Sequence, residues 1–283
     1  MNHTPDYKSL IPEALSGDMN ALERILLSVR DQVYNLALRF LWHPQEAEDA
    51  TQEILVKIML HLNQFEFRSA FTTWTYRIAT NCLIDTKKSL LERSNISFDE
   101  VSREIRASAS LANETSGISR DSQDSEEQIR ETARDVQTAC THAMLQCLER
   151  RNRAAFILGE VFNMHSQDAS TILGISADAY RQRLSRARAT MESFLENHCG
   201  IMDPENPCRC EKRACQLQSS RTLQKYLHHA RKLEKHEPED VASSNTQLGK
   251  MALLYRSNRS YIPRFQMLER IKRSLQATEF WSN

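Results

Sequence analysis

Between His198 and Cys215 the chain places one imidazole and four thiols in the order H-C-x8-C-x-C-x4-C: His198, Cys199, Cys208, Cys210 and Cys215. Thiolates and imidazole are the ligands of tetrahedral zinc sites. A C-x-C pair also suits a soft ion such as copper(I). The spacing is not that of a zinc ribbon, and a dithiol redox switch or a set of reduced, unliganded thiols fits the same residues. Two other sets of polar side chains recur at helical spacing. Asp49, Gln52 and Glu53 form an acidic stripe, a surface suited to a basic protein partner. The loop Gln64-Phe65-Glu66-Phe67-Arg68-Ser69 and the following Arg77, Asn81 and Lys88 mix cations, amides and aromatic rings. That mixture suits single-stranded nucleic acid, where phosphates meet cations and unstacked bases meet rings or pockets.

A fourth set lies in SQDASTILGISADAYRQRLSRAR, from Ser166 to Arg188. Ser166 is placed to cap a short helix burying Ala169, Ile172 and Leu173. Gly174 turns the chain and Ser176 caps a second helix. There Tyr180, Leu184, Ala187 and Met191 form the buried stripe. Asp178, Arg181, Gln182, Arg183, Ser185, Arg186 and Arg188 are left for base edges and phosphates in the manner of a helix-turn-helix.

These groups need helices to hold them. Six glycines and seven prolines in 283 residues, with abundant Leu, Ala, Arg, Glu and Gln, predict an all-α chain. Leu22, Ile25, Leu26, Val29, Val33, Leu36 and Phe40 mark one long helix, ended by His43-Pro44. Ala47, Ala50, Ile54, Leu55, Ile58 and Leu62 back the acidic stripe, and Phe71, Trp74 and Ile78 point a third helix to the core. Residues 92–130 are acidic and poor in apolar groups, which predicts a flexible linker. Val136, Cys140, Ala143, Met144 and Cys147 open a second domain over 131–197. Residues 198–283 form an extension with two or three helices broken near Glu237–Gln247.

Lysine plus arginine equals aspartate plus glutamate at 37 each, so the basic character needed for DNA is local to the helix-turn-helix and the extension. No apolar run is long enough to span a bilayer, and MNHTPDYKSL lacks the pattern of a signal peptide. A cytoplasmic protein without membrane insertion is expected. No nucleophile–base set or phosphate-binding glycine loop occurs, so no enzyme is expected.

The runs EAEDATQEILVKI and FRSAFTTWTYRIATNCLIDTKK resemble the second conserved region of bacterial RNA polymerase sigma factors, in particular the extracytoplasmic-function (ECF) group. The resemblance spans Asn20 to Ser89, and the helix-turn-helix resembles the fourth region of the same family. It implies a first domain, 1–91, with Glu46, Asp49, Gln52 and Glu53 docking on the beta-prime clamp helices of core polymerase. It implies Phe67, Arg68, Ser69, Arg77, Asn81 and Lys88 melting and holding the minus-ten element. It further implies a second domain that reads the minus-thirty-five element beside the beta flap, an anti-sigma partner, and a nucleoid-associated location. Two departures stand out: Tyr180 replaces a smaller apolar residue, and Leu148-Glu149-Arg150 lacks the family's Leu-Pro opening. A helix-turn-helix regulator acting without polymerase, with a metal- or redox-sensing tail, is the alternative.

Overall fold

The computed structural model describes residues 5–87, 92, 96–114, 126–215, 221–231, 247–256 and 261. It is helical, as expected, with no strand among the described residues. The first domain comprises α1 (Tyr7–Leu15), α2 (Met19–Leu41), α3 (Pro44–Leu60) and α4 (Phe71–Asp85). Asp18 starts α2 by accepting the backbone N–H groups of Asn20 and Ala21 at 2.8 and 3.3 Å, which satisfies donors that have no partner inside the helix. At the far end Trp42 takes a left-handed conformation (φ 49°) and is fully buried. His43 then caps α3, and Pro44 occupies its first turn, where a missing N–H costs nothing.

Part of the expected linker is helical. Phe98–Glu114 forms α5. Ser97 accepts the Glu100 N–H at 3.2 Å, and Val101 and Ile105, four residues apart, are buried toward the second domain. Phe98 packs on Phe194 with ring centroids 5.1 Å apart. Composition alone missed this helix because two buried apolar residues and a good cap suffice when a neighbouring helix supplies the rest of the core.

The second domain begins with α6 (Glu126–Cys147), five residues earlier than expected, followed by α7 (Arg150–Phe156) and a π-helical turn, Ile157–Val161. Next come α8 (Ser166–Leu173) and α9 (Ala177–His198). The extension adds α10 (Cys210–Cys215), α11 (Arg221–Ala230) and α12 (Gln247–Arg256). From Asp135 to Cys147 α6 is buried almost all round, because α2 lies on one side and α10 and α11 on the other. The expected helical residues Leu227 and Leu254 are buried, whereas Leu217, Ile262, Phe265, Leu268 and Ile271 lie outside the described residues.

The two domains are packed together. One apolar cluster runs from Leu10 in α1 to Tyr261, and a satellite of Ala155, Leu158, Ala169, Ile172, Tyr180 and Leu184 holds the helix-turn-helix. α4 lies against α7 and α8, with Tyr76 and Phe162 at a ring distance of 5.7 Å. Polar contacts lock the same seam. Arg150 donates to the carbonyls of Leu83, Ile84, Thr86 and Lys87, the orphan acceptors at the C-terminal end of α4. Glu92 pairs with both Arg150 (2.6 Å) and Arg153 (2.8 Å). The extension reaches both domains: Tyr261 and Asn35 exchange two hydrogen bonds at 2.8 and 2.9 Å, while Arg256 donates to the Glu160 carbonyl at 2.7 Å and to Asn163 at 2.9 Å.

Candidate nucleic-acid interface

The acidic stripe sits on the side of α3 opposite Ala47, Ile54 and Ile58, and so points away from the core. Asp49 and Glu53 are exposed, and Glu46 and Gln52 are half-buried. Glu53 is not an isolated carboxylate. Lys57, one turn on, pairs with it at 2.7 Å and also donates to the Cys82 sulfur at 3.2 Å. The hydrogen bond from Lys57 holds Glu53 below the usual carboxylate range and lifts Lys57 above its own. Asp49, whose described contact is a 3.5 Å approach from Gln45, is the better placed docking charge.

Beyond α3 a short 3-10 turn, Leu62–Gln64, leads into the aromatic loop. Phe65 and Phe71 are buried, and Trp74 packs on both from a half-buried position. They form the floor of the loop. Phe67 stands on that floor, 4.8 Å from Phe65, and remains 45% exposed. Its φ of 57° is the left-handed region, which costs a non-glycine residue about 1–3 kcal/mol and here turns the ring outward. Arg68 pairs with Glu66 at 2.7 Å on the open surface, and the Ser69 hydroxyl donates to the Ala70 carbonyl. Arg77 and Asn81, four residues apart on α4, are exposed on one face. Lys88 lies outside the described residues.

In the second domain Gly174, at φ 64°, makes the turn between α8 and α9, and Ser176 accepts the Ala179 N–H at 3.1 Å to start α9. Ser166 is not a cap: His165 holds that position, without a side-chain capping bond. Asp178, Arg181, Gln182, Ser185 and Arg186 are exposed along one side of α9, Arg183 is half-buried, and Arg181 is paired with Asp178. Arg188 departs from the expectation. Its guanidinium turns inward onto Glu160, which is 3% exposed, with Nε donating at 2.7 Å. A buried carboxylate without a cation is costly, and Arg188 meets that demand rather than lying free for DNA.

The cysteine-rich segment also differs from the sequence expectation. His198 has both ring nitrogens engaged: Nδ1 donates to the Phe194 carbonyl (2.9 Å), leaving Nε2 to accept from the Ser102 hydroxyl (2.6 Å). Its ring stacks on Phe194, so it is not free to bind metal. Among the described residues no three His, Cys, Asp or Glu side chains stand ready around one ion, and the Cys215 side chain is outside the described set. Burial pushes the thiols of Cys199, Cys208 and Cys210 up, Cys210 to about 12, which makes them poor nucleophiles in this arrangement. Cys140, expected to be only a core residue, shares their cavity. No described helix is long and apolar enough to cross a membrane.

The sequence model for Sigma-70 region 2 matches residues 25–91, and that for Sigma-70 region 4 matches 138–191. The RNA polymerase sigma-H factor of Pseudomonas aeruginosa is 29% identical over 67% of this chain and 93% of its own length. The ECF RNA polymerase sigma factor SigW of Bacillus subtilis is 37% identical over 28% of this chain and 42% of its own. These matches support an ECF-group RNA polymerase sigma factor. The region 2 match thus falls on α2–α4, and the region 4 match runs from α6 to α9. α5 falls between the two matches, and α10–α12 follow them. Among solved structures, CnrH in complex with the cytosolic domain of CnrY is 20% identical, with a TM-score of 0.44 over 66% of this chain and 95% of that one. Sequence reading missed Glu92, Arg150, Arg153 and Gly159, whose contacts include partners distant along the chain.

Proposed function

We propose that this sigma factor docks on core RNA polymerase through Asp49 and its neighbours, melts the minus-ten element around Phe67, Arg68, Arg77 and Asn81, and reads the minus-thirty-five element with α9. The observation that carries the reading is that Asp49 and Glu53 of the acidic stripe, an outward aromatic ring beside cations and one face of a capped basic helix all lie exposed on one chain. Each surface has the chemistry its partner needs: carboxylates for a basic protein surface, a ring and guanidinium groups for an unstacked strand, and Arg and Gln for groove edges. The action is binding and DNA opening rather than catalysis of a chemical step.

The closed packing adds a step. Elements named for positions about 25 base pairs apart lie roughly 85 Å apart on straight duplex, at about 3.4 Å per base pair. Here α4 and α8 touch. Engagement of both elements therefore requires the seam at Arg150 and Glu92 to part, and the extension that binds both domains is placed to regulate that opening. An anti-sigma partner, as the family resemblance implies, would act on the same equilibrium.

The test is transcription by purified protein and core polymerase from duplex and pre-melted promoter templates. A specific transcript, reduced by Asp49→Arg together with core binding, supports the reading. If no specific transcript forms on either template and Asp49→Arg leaves core binding unchanged, it is wrong.

A further inference from the structure

Four cysteines line one cavity where the extension docks on region 4. Cys140 projects from α6, and Cys199 follows directly on α9. Cys208 lies beside Cys199 as a single parallel bridge of extended backbone, with the Gly200 N–H donating to the Cys208 carbonyl at 2.9 Å. Cys210 opens α10, which packs along α6. All four side chains line one cavity of about 20 Å³. Space on that scale holds one water-sized body, so an organic ligand or peptide cannot enter.

The rest of the wall includes Val136, Met144, Leu195 and Leu254, with Gln137, Thr141 and the already bonded His198 beside them. Arg213 also lines the cavity. It is only 8% exposed, and among the described residues its polar side-chain partner is the Cys208 sulfur rather than a carboxylate. Among the described residues this buried guanidinium faces thiols and no carboxylate. A metal–thiolate group would fill a monatomic space and supply an opposite charge.

We propose that Cys140, Cys199, Cys208 and Cys210 form a site for one thiophilic metal ion, zinc or copper(I) in class, with Arg213 as its charge partner. Binding is ligand exchange without electron transfer: each coordinating S–H gives its proton to solvent as a metal–sulfur bond forms. Since the sulfurs do not yet surround one point, loading draws the segment 199–210 onto α6. The site differs from one confined to the extension, because its fourth ligand comes from region 4. Metal loading therefore fastens the extension to the DNA-binding domain. The assignment does not depend on the promoter-reading proposal and is tested without polymerase.

The full chain, purified reduced and stripped of metal, is titrated anaerobically with zinc and separately with copper(I), and metal per chain is counted after desalting. Cobalt(II), substituting for zinc, reports thiolate ligation by its charge-transfer absorption. One equivalent of one metal is expected to survive a competing chelator, and the arm in which it survives identifies the ion. Cys140→Ser and Cys208→Ser should each weaken binding at least tenfold, whereas Cys82→Ser and His198→Ala retain it. Circular dichroism of the metal-free variants checks that each is folded. If Cys140→Ser does not fold, Cys199→Ser and Cys210→Ser decide, and full binding by either overturns the site. Uptake of neither metal, or loss with Cys215→Ser but not with a folded Cys140→Ser, also overturns it.

Discussion

The phenolic oxygen of Tyr180 occupies the space that a side chain at Gly159 would need: a Cβ there would lie 2.6 Å from it and 2.8 Å from Leu184 Cδ2. Tyr180 lies in α9, and the glycine is its counterpart in the π-helical turn. The Tyr180 hydroxyl reaches past Gly159 to donate to the Ala155 carbonyl at 3.3 Å. The Tyr180 side chain is thus held on the inner face of α9, away from exposed Arg181 and Gln182.

Gly159→Ala tests that pairing. In an ordinary helix the change would stabilise by about 0.5–1 kcal/mol. Here the methyl group must displace a buried ring and Leu184, which costs about 1–3 kcal/mol. A net loss in urea or thermal denaturation is expected, with partial recovery in the Gly159→Ala/Tyr180→Phe double variant, where the nearest atom is gone. A single variant as stable as wild type would show that Tyr180 is not confined by Gly159.

The Glu92 seam should respond unequally at its two arginines. Arg153 is 2% exposed and donates to Phe40, Gln146, Leu148 and Glu92, so Glu92→Ala leaves a buried cation without its carboxylate. A loss of about 3–5 kcal/mol is expected in denaturant melts. Arg150 is more exposed, and Arg150→Ala should cost less, about 1–3 kcal/mol. It removes the donors at the end of α4, so the chain should also expand in solution scattering. An unchanged radius of gyration would place the hold on the domains elsewhere.

Acid should weaken the fold through His142. Its ring lies 3.5 Å from the Trp42 ring in the seam, and burial first, with the nearby Arg39 charge adding, lowers its pKa to about 3. The unfolded chain takes up this proton near pH 6.5, while the folded chain refuses it until about pH 3. Stability is therefore fully present above pH 6.5 and falls toward pH 3 by about 1.4 kcal/mol per pH unit for this one group. His142→Gln should flatten that part of the profile in melts from pH 7 to 5. An equal slope in the variant would assign the acid sensitivity to other groups.

Much of this was readable in the chain. The apolar repeats of α2, α3, α4 and α9 follow local periodicity, and so do the exposed faces of Asp49, Arg77 and Arg181, since a helix that buries one side presents the other. The cap Ser97-x-x-Glu100 was a visible signal for α5, outweighed by the polar composition around it. What local pattern could not supply was pairing at a distance. Nothing near Arg188 announces Glu160, nothing near Arg150 announces Glu92, and Cys140 reads as an ordinary core residue until α10 is folded against it. Buried charges in particular look like surface residues until their partners are known.

Phe67 should separate function from stability. A phenylalanine in the left-handed region carries strain that Phe67→Gly relieves, by about 1–3 kcal/mol, against about 0.5–1 kcal/mol of added backbone entropy in the unfolded chain. Its ring is half in solvent and adds only part of its area to the aromatic floor, so the variant should melt within about 1 kcal/mol of wild type or slightly above it. The ring's proposed work is done on DNA. If it holds one unstacked base, its loss costs about 1–3 kcal/mol, or roughly 5- to 150-fold in open-complex formation on duplex promoters. On a pre-melted template the unpairing is already done, so the defect should shrink, whereas Asp49→Arg should reduce transcription equally on both. A Phe67→Gly protein that opens duplex promoters at the wild-type rate would leave the strained, outward ring without a role in melting, and the aromatic floor of Phe65, Phe71 and Trp74 would then be purely structural.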